Sequence, residues 1–186
     1  MEIVLVILVG LAAVLVVYLS FAQAGDPPKV GTPAPEWSLP DHEGKPRASA
    51  DSRGRRLVLF FYPQDETPEC LAIVDRLAKI SPAYADFAAD FFAVAVCKPQ
   101  EAAIYRVKHD ATFAVLCDAD GRVAKRYGAL INPGFAKFAR KLIVVVAPDG
   151  TIERIFRDIL DTGPVDTLLR HLAEAHEGQG KGAGLV

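Results

Sequence analysis

Apolar residues fall into three patterns along this chain. From Ile3 to Ala22 they are nearly continuous, with Gly10 and Ser20 the interruptions. A helix of about 20 residues rises ~1.5 Å per residue and matches a hydrocarbon core of ~30 Å, so this stretch predicts one membrane-spanning helix. Short unbroken runs come next: Leu57–Phe61, Phe91–Val96, Phe113–Leu116 and Leu142–Ala147. They are rich in branched and aromatic side chains and read as buried strands. The third pattern is spacing by three and four. Leu71, Val74, Leu77, Ile80, Tyr84 and Phe87 predict an amphipathic helix, and Val165, Leu168, Leu169 and Leu172 a closing one. Glu101–Lys108 and Val123–Tyr127 read as shorter helices, Trp37–Leu39 as an opening strand with a turn at Asp41–Lys45. Pro148-Asp149-Gly150 joins Lys141–Ala147 to Thr151–Phe156 as a hairpin. Strands alternating with helices predict an α/β sandwich, its parallel strands joined by right-handed crossovers.

These patterns divide the chain into an anchor (1–24), a breaker-rich linker Gly25–Lys29, a folded domain (30–176) and a glycine-containing disordered tail (177–186). Ala22-Gln23-Ala24 resembles a signal-peptidase site, but no lysine or arginine precedes the apolar run, which favours an uncleaved single-pass anchor. Glu2 lies before the span and Lys29, Arg47, Arg53, Arg55 and Arg56 after it, which leans the domain toward the cytoplasm. A net charge of −2 over 186 residues gives no sign of a nucleic-acid partner. His42, His109, His171 and His176 are scattered and three cysteines form no Cys-x-x-Cys pair, so neither metal nor cofactor is expected.

Candidate chemistry sits between the first core strand and the first amphipathic helix. Thr67 suits an N-cap and Pro68 the first helical position, which puts Cys70 at N3. First-turn N–H groups lack intrahelical partners and the helix dipole is positive there, so a thiolate at N3 is stabilised and its pKa lowered below ~8.5. The competing reading makes Cys70 a small core residue.

Pro63-x-x-x-Thr67-x-x-Cys70 resembles the peroxidatic motif of the peroxiredoxins, in the alkyl hydroperoxide reductase and thiol-specific antioxidant superfamily. Phe61-Tyr62-Pro63 with Thr67-Pro68-x-Cys70 is similar to the Q-type branch, the bacterioferritin comigratory proteins. Val30-Gly31-x-x-Ala34-Pro35-x-Trp37-x-Leu39-Pro40, Gly54, the Phe113–Gly121 segment and Ala147-Pro148-Asp149-Gly150 extend the likeness over residues 30–176. The resemblance implies a thioredoxin-like fold and a thiol peroxidase. Cys70 would attack a hydroperoxide and become a sulfenic acid. Thr67 would hydrogen-bond the peroxide, Pro63 would shield the thiolate and an arginine would hold it. The competing readings make Thr67 only a helix cap and Pro63 only a residue that shapes the loop. Arg140 is the candidate cation through a shifted register, with Lys141 at the position an ungapped count gives. If both lay in regular strand, only one could face Cys70.

Two departures stand against full activity and a simple cycle. Glu69 and Leu71 replace the branch's usual glycine and threonine, and Glu69 with Asp65 and Glu66 makes the loop acidic, which opposes a lowered pKa wherever a carboxylate nears the sulfur. Asp75 stands where many Q-type members carry a resolving cysteine, which leaves Cys97, Cys117 or neither for that role. The leading expectation is a membrane-tethered peroxidase for hydrogen peroxide or organic hydroperoxides, as monomer or homodimer. Its reductant would be thioredoxin, glutaredoxin or a low-molecular-weight thiol. The rival is a non-catalytic peroxiredoxin-like binding or redox-sensing module, and the Cys70 pKa separates the two.

Overall fold

The computed structural model describes residues 2–22, 25–157 and 159–182. After helix α1 (Glu2–Ala22) come the short strands β1 (Ser38–Pro40) and β2 (Pro46–Ala48), then a 3-10 turn at Ser49–Ser52. The core begins with β3 (Arg56–Phe61), α2 (Pro68–Ile80), α3 (Ala83–Asp86), β4 (Ala89–Ala95), α4 (Pro99–Lys108), β5 (Ala114–Cys117) and α5 (Arg122–Arg126). It closes with β6 (Leu130–Ile131), β7 (Phe138–Ala139), β8 (Leu142–Val146), β9 (Ile152–Arg157) and α6 (Gly163–Gly182). Helix α6 therefore takes in residues 177–182 of the expected tail; residues 183–186 lie outside the described ones.

The central sheet has the order β5-β4-β3-β8-β9. Strands β3, β4 and β5 are parallel, while β8 runs antiparallel to β3 and β9 antiparallel to β8. All six residues of β3 and all five of β8 are buried, so the middle of the sheet is covered on both faces, which is why these strands read as unbroken apolar runs. The pleat sorts them. Val58, Phe60, Ile143 and Val145 meet Ile73, Leu77 and Leu168 on one side. Leu57, Leu59, Phe61, Leu142 and Val144 meet Trp37, Val123 and Tyr127 on the other. Arg76 in α2 ties to Asp166 in α6 at 2.6 Å, fixing the helix that carries Cys70.

Among the described residues no helix is long and apolar enough to cross a membrane. This corrects the expected single-pass anchor, and with it the membrane localisation and the cytoplasm-facing orientation. The Ala22-Gln23-Ala24 site reaches outside the described residues at 23 and 24.

Candidate active site

The strand-to-helix passage after β3 builds the site. Thr67 is the N-cap of α2, Pro68 opens the helix, and the Cys70 amide donates to the Thr67 hydroxyl oxygen at 3.4 Å. Cys70 is thus at N3. Its side chain shares the inward stripe of Ile73, Val74 and Leu77, three, four and seven residues on, so the thiol is fully buried.

Burial reverses the sign expected from the helix terminus. The Cys70 thiol is pushed up to about 12, first by its removal from water and next by the Asp65 carboxylate, which repels a thiolate and accepts a hydrogen bond from the thiol. Lys141 and the Tyr105 hydroxyl pull the other way without overcoming these. At neutral pH roughly one such thiol in 10⁵ is ionised.

Asp65 is thus the carboxylate of the acidic loop that works on the sulfur. It also accepts the Thr67 hydroxyl proton at 2.8 Å. A threonine hydroxyl has one proton to give, so in this arrangement Thr67 gives it to Asp65 and keeps only acceptor capacity for other groups. Glu66 is held away by an ion pair with Lys108, with His109 3.6 Å off. Gln64 sits at φ 55°, a left-handed conformation that costs a non-glycine residue about 1–2 kcal/mol and turns the chain sharply between Pro63 and Asp65.

Pro63, Asp65, Arg140 and Lys141 line one pocket, together with Ile159 and Leu160. Arg140 and Lys141 both precede β8, so strand alternation does not force them to opposite faces. Lys141 is the cation whose charge bears on Cys70, while the Arg140 guanidinium donates to the Gly25 carbonyl at 3.1 Å. Tyr105, on α4, was not singled out from sequence. Its hydroxyl donates its one proton to the Asp65 carbonyl at 3.2 Å and lies where that proton could instead favour a Cys70 thiolate, and its only sequence signal is a spacing of three from inward-facing Ala102. Cys97 and Cys117 are buried in the same cluster as Cys70, and all three thiols are free. Among the described residues no cluster of three or more His, Cys, Asp or Glu side chains could hold a metal ion.

Comparison with known proteins places this geometry. The family model described as AhpC/TSA family matches residues 30–155, well over half of the chain. The chain belongs to the AhpC/TSA family. It is 27% identical over 153 residues to peroxiredoxin Bcp of Escherichia coli (strain K12), with 80% of this chain and 98% of that protein covered. It is 31% identical over 151 residues to a putative peroxiredoxin of Mycobacterium tuberculosis (strain ATCC 25618 / H37Rv), covering 77% and 94%. The solved structure of peroxidoxin BcpB from Mycobacterium tuberculosis superposes with a TM-score of 0.69 at 22% identity, over 78% of this chain and 97% of that one. Xanthomonas campestris bacterioferritin comigratory protein, described for its alkyl peroxide reduction activity, gives a TM-score of 0.69 at 17% identity, over 80% and 99%. The fold is therefore the thioredoxin-like one of the peroxiredoxins, and the chain is an enzyme of their class, a thiol-dependent peroxidase.

Proposed function

We propose that Cys70 is the peroxidatic residue and that the chain reduces hydrogen peroxide or small organic hydroperoxides in the pocket beside it. The observation that carries this reading is the placement of Cys70 at N3 under the Thr67 hydroxyl, with Pro63 and two cations lining the adjoining pocket. The sulfur attacks the terminal peroxide oxygen, the O–O bond breaks, and the alcohol or water leaves with the thiol proton; Cys70 becomes a sulfenic acid. Lys141 offers the charge that favours the thiolate, and Arg140 contributes to the same wall. Thr67 turns its proton from Asp65 to the bound peroxide, and Pro63 limits water at the pocket. A dithiol protein or low-molecular-weight thiol returns Cys70 to the reduced state.

One observation favours the binding or sensing module instead: a thiol held at about 12 is nearly all protonated at neutral pH. Family membership and the arrangement around Cys70 outweigh it, and the enzyme reading then requires that the Asp65 contact break when peroxide enters. The test is to mix the fully reduced chain with stoichiometric hydrogen peroxide and follow sulfenic acid by intact mass, with Cys70→Ser as control. Oxidation at Cys70 faster than that of a free thiol supports the enzyme. Oxidation no faster than a free thiol removes Cys70 from the peroxidatic role.

A further inference from the structure

Helix α4 reaches the loop ahead of Cys70 through Tyr105. The ring of this buried residue is wedged between Tyr62, at 5.8 Å, and His109, at 4.5 Å, and its hydroxyl meets the Asp65 carbonyl at 3.2 Å. The other end of Asp65 faces Thr67: its Oδ1 accepts the Thr67 hydroxyl at 2.8 Å and the Thr67 amide at 3.3 Å. Asp65 is therefore pinned twice, by Tyr105 at the carbonyl and by Thr67 at the carboxylate. The flanking residues hold the loop less firmly. Gln64 donates to the Tyr62 hydroxyl at 3.3 Å, and Glu66 pairs with Lys108 where both side chains are 55% exposed, a setting in which ion pairs contribute little. Against these contacts works the φ of 55° at Gln64, which a non-glycine residue keeps only where its surroundings impose it.

We propose, on the reading of Cys70 as the peroxidatic residue, that Tyr105 is a positioning residue: it latches the Asp65 loop closed, so that Thr67 gives its single proton to Asp65 and not to a peroxide. When the latch opens, Asp65 moves off, the turn at Gln64 relaxes and the Thr67 hydroxyl is free to donate to the bound peroxide. Tyr105 acts through Asp65 and touches no reacting oxygen.

Tyr105→Phe keeps the ring between Tyr62 and His109 and loses the hydroxyl alone. The loss also takes a donor away from the neighbourhood of the sulfur, which by itself slows oxidation, so a gain in rate has to come from the loop. A neutral hydrogen bond biases an equilibrium by about fivefold, which sets the scale of the effect.

The experiment compares the full-length wild type, Tyr105→Phe, Asp65→Ala and the double variant, all reduced. Hydrogen exchange at the Thr67 amide reads the loop whether or not Cys70 reacts, and intact mass after addition of hydrogen peroxide reads sulfenic acid at Cys70. In Tyr105→Phe both rates should rise at least about threefold over wild type, with the Val74 and Leu77 amides inside α2 unchanged. In the Asp65→Ala background, where no carboxylate is left to hold in place, Tyr105→Phe should give no gain in either. Thr67 exchange at the wild-type rate in Tyr105→Phe overturns the latch, whatever Cys70 does. Equal gains with and without the Asp65 carboxylate overturn it too, because a merely loosened core would act in both backgrounds. So does a Cys70 that outpaces a free thiol in wild type and gains nothing in Tyr105→Phe. If exchange responds as expected while Cys70 oxidises no faster than a free thiol in all four chains, the latch is upheld and the peroxidatic reading fails.

Discussion

Two effects of opposite sign act on the Cys70 sulfur, and their sizes decide its state. A helix N-terminus is worth about 0.3–1 kcal/mol, up to ~2 when partly buried, or little more than one pKa unit. Full burial can shift a thiol by ~3–5 units, and Asp65 adds to it. Asp65→Asn removes the repelling charge and the strong acceptor together. The thiol pKa should fall by at least about one unit, and alkylation of Cys70 at neutral pH should speed up about tenfold. Lys141→Gln should move both in the opposite direction. Ultraviolet thiolate titration on each variant checks the pair, and an unchanged Asp65→Asn titration would mean that burial alone holds the proton.

The same residue makes stability depend on pH, and the sign can be worked out. With a pKa raised from 9.0 to about 12, folded Cys70 keeps its proton in a range where the unfolded chain has lost it. The folded state then binds more protons, so this contribution is intact below about pH 9 and declines as pH rises toward about 12. Each unit within that window costs up to ~1.4 kcal/mol. Urea unfolding at about pH 8 and about pH 10 should show wild type losing ~1 kcal/mol more than Cys70→Ala over that interval. Equal losses in the two proteins would remove Cys70 as a source of the pH dependence.

At the scale of elements, the Thr67 cap decides where α2 begins. Thr67→Val keeps the shape and loses the oxygen that accepts the Cys70 amide, so denaturant midpoints should report a loss of about 1 kcal/mol, while Thr67→Ser stays close to wild type. The cap was legible because threonine, proline and the apolar stripe are local signals that agree. Strands β3, β4, β5 and β8 were legible for a related reason: each holds a run of at least four apolar residues, covered on both faces in β3 and β8, with Arg56 and Asp90 at the strand starts outside those runs. Strands β2, β6 and β7 were not. They have two or three residues each, and Pro46-Arg47-Ala48 carries neither alternation nor branched side chains. The register that sets Arg140 against Lys141 was not legible: both residues lie ahead of the regular strand, so the alternation that would let only one face Cys70 has no force there. Tyr105 was hidden because its contact with the Asp65 loop joins segments far apart in sequence, and the raised Cys70 pKa because its largest cause is burial in the assembled core, although the Asp65 share was legible in the acidic loop.

For the molecule as a whole, the N-terminal side of the domain is held by contacts that composition does not announce. Gly25–Lys29 reads as a linker, yet Pro27 is buried and the Gly25 carbonyl takes the Arg140 guanidinium. Gly128 explains how the segment fits so closely. It sits at φ +65°, and a Cβ there would lie 2.5 Å from the backbone of Asp26 and Pro27, which cannot swing aside as a side chain could. Gly128→Ala therefore adds a left-handed backbone cost of about 1–2 kcal/mol to an overpacking cost of about 1–3 kcal/mol. Urea unfolding should show a loss of at least ~2 kcal/mol unless the strap lifts off to relieve the clash. Limited proteolysis separates these responses: lifting exposes residues 25–29 to cleavage and releases Arg140 from the Gly25 carbonyl. Wild-type stability together with wild-type protection of that segment would show that the strap does not pack on Gly128.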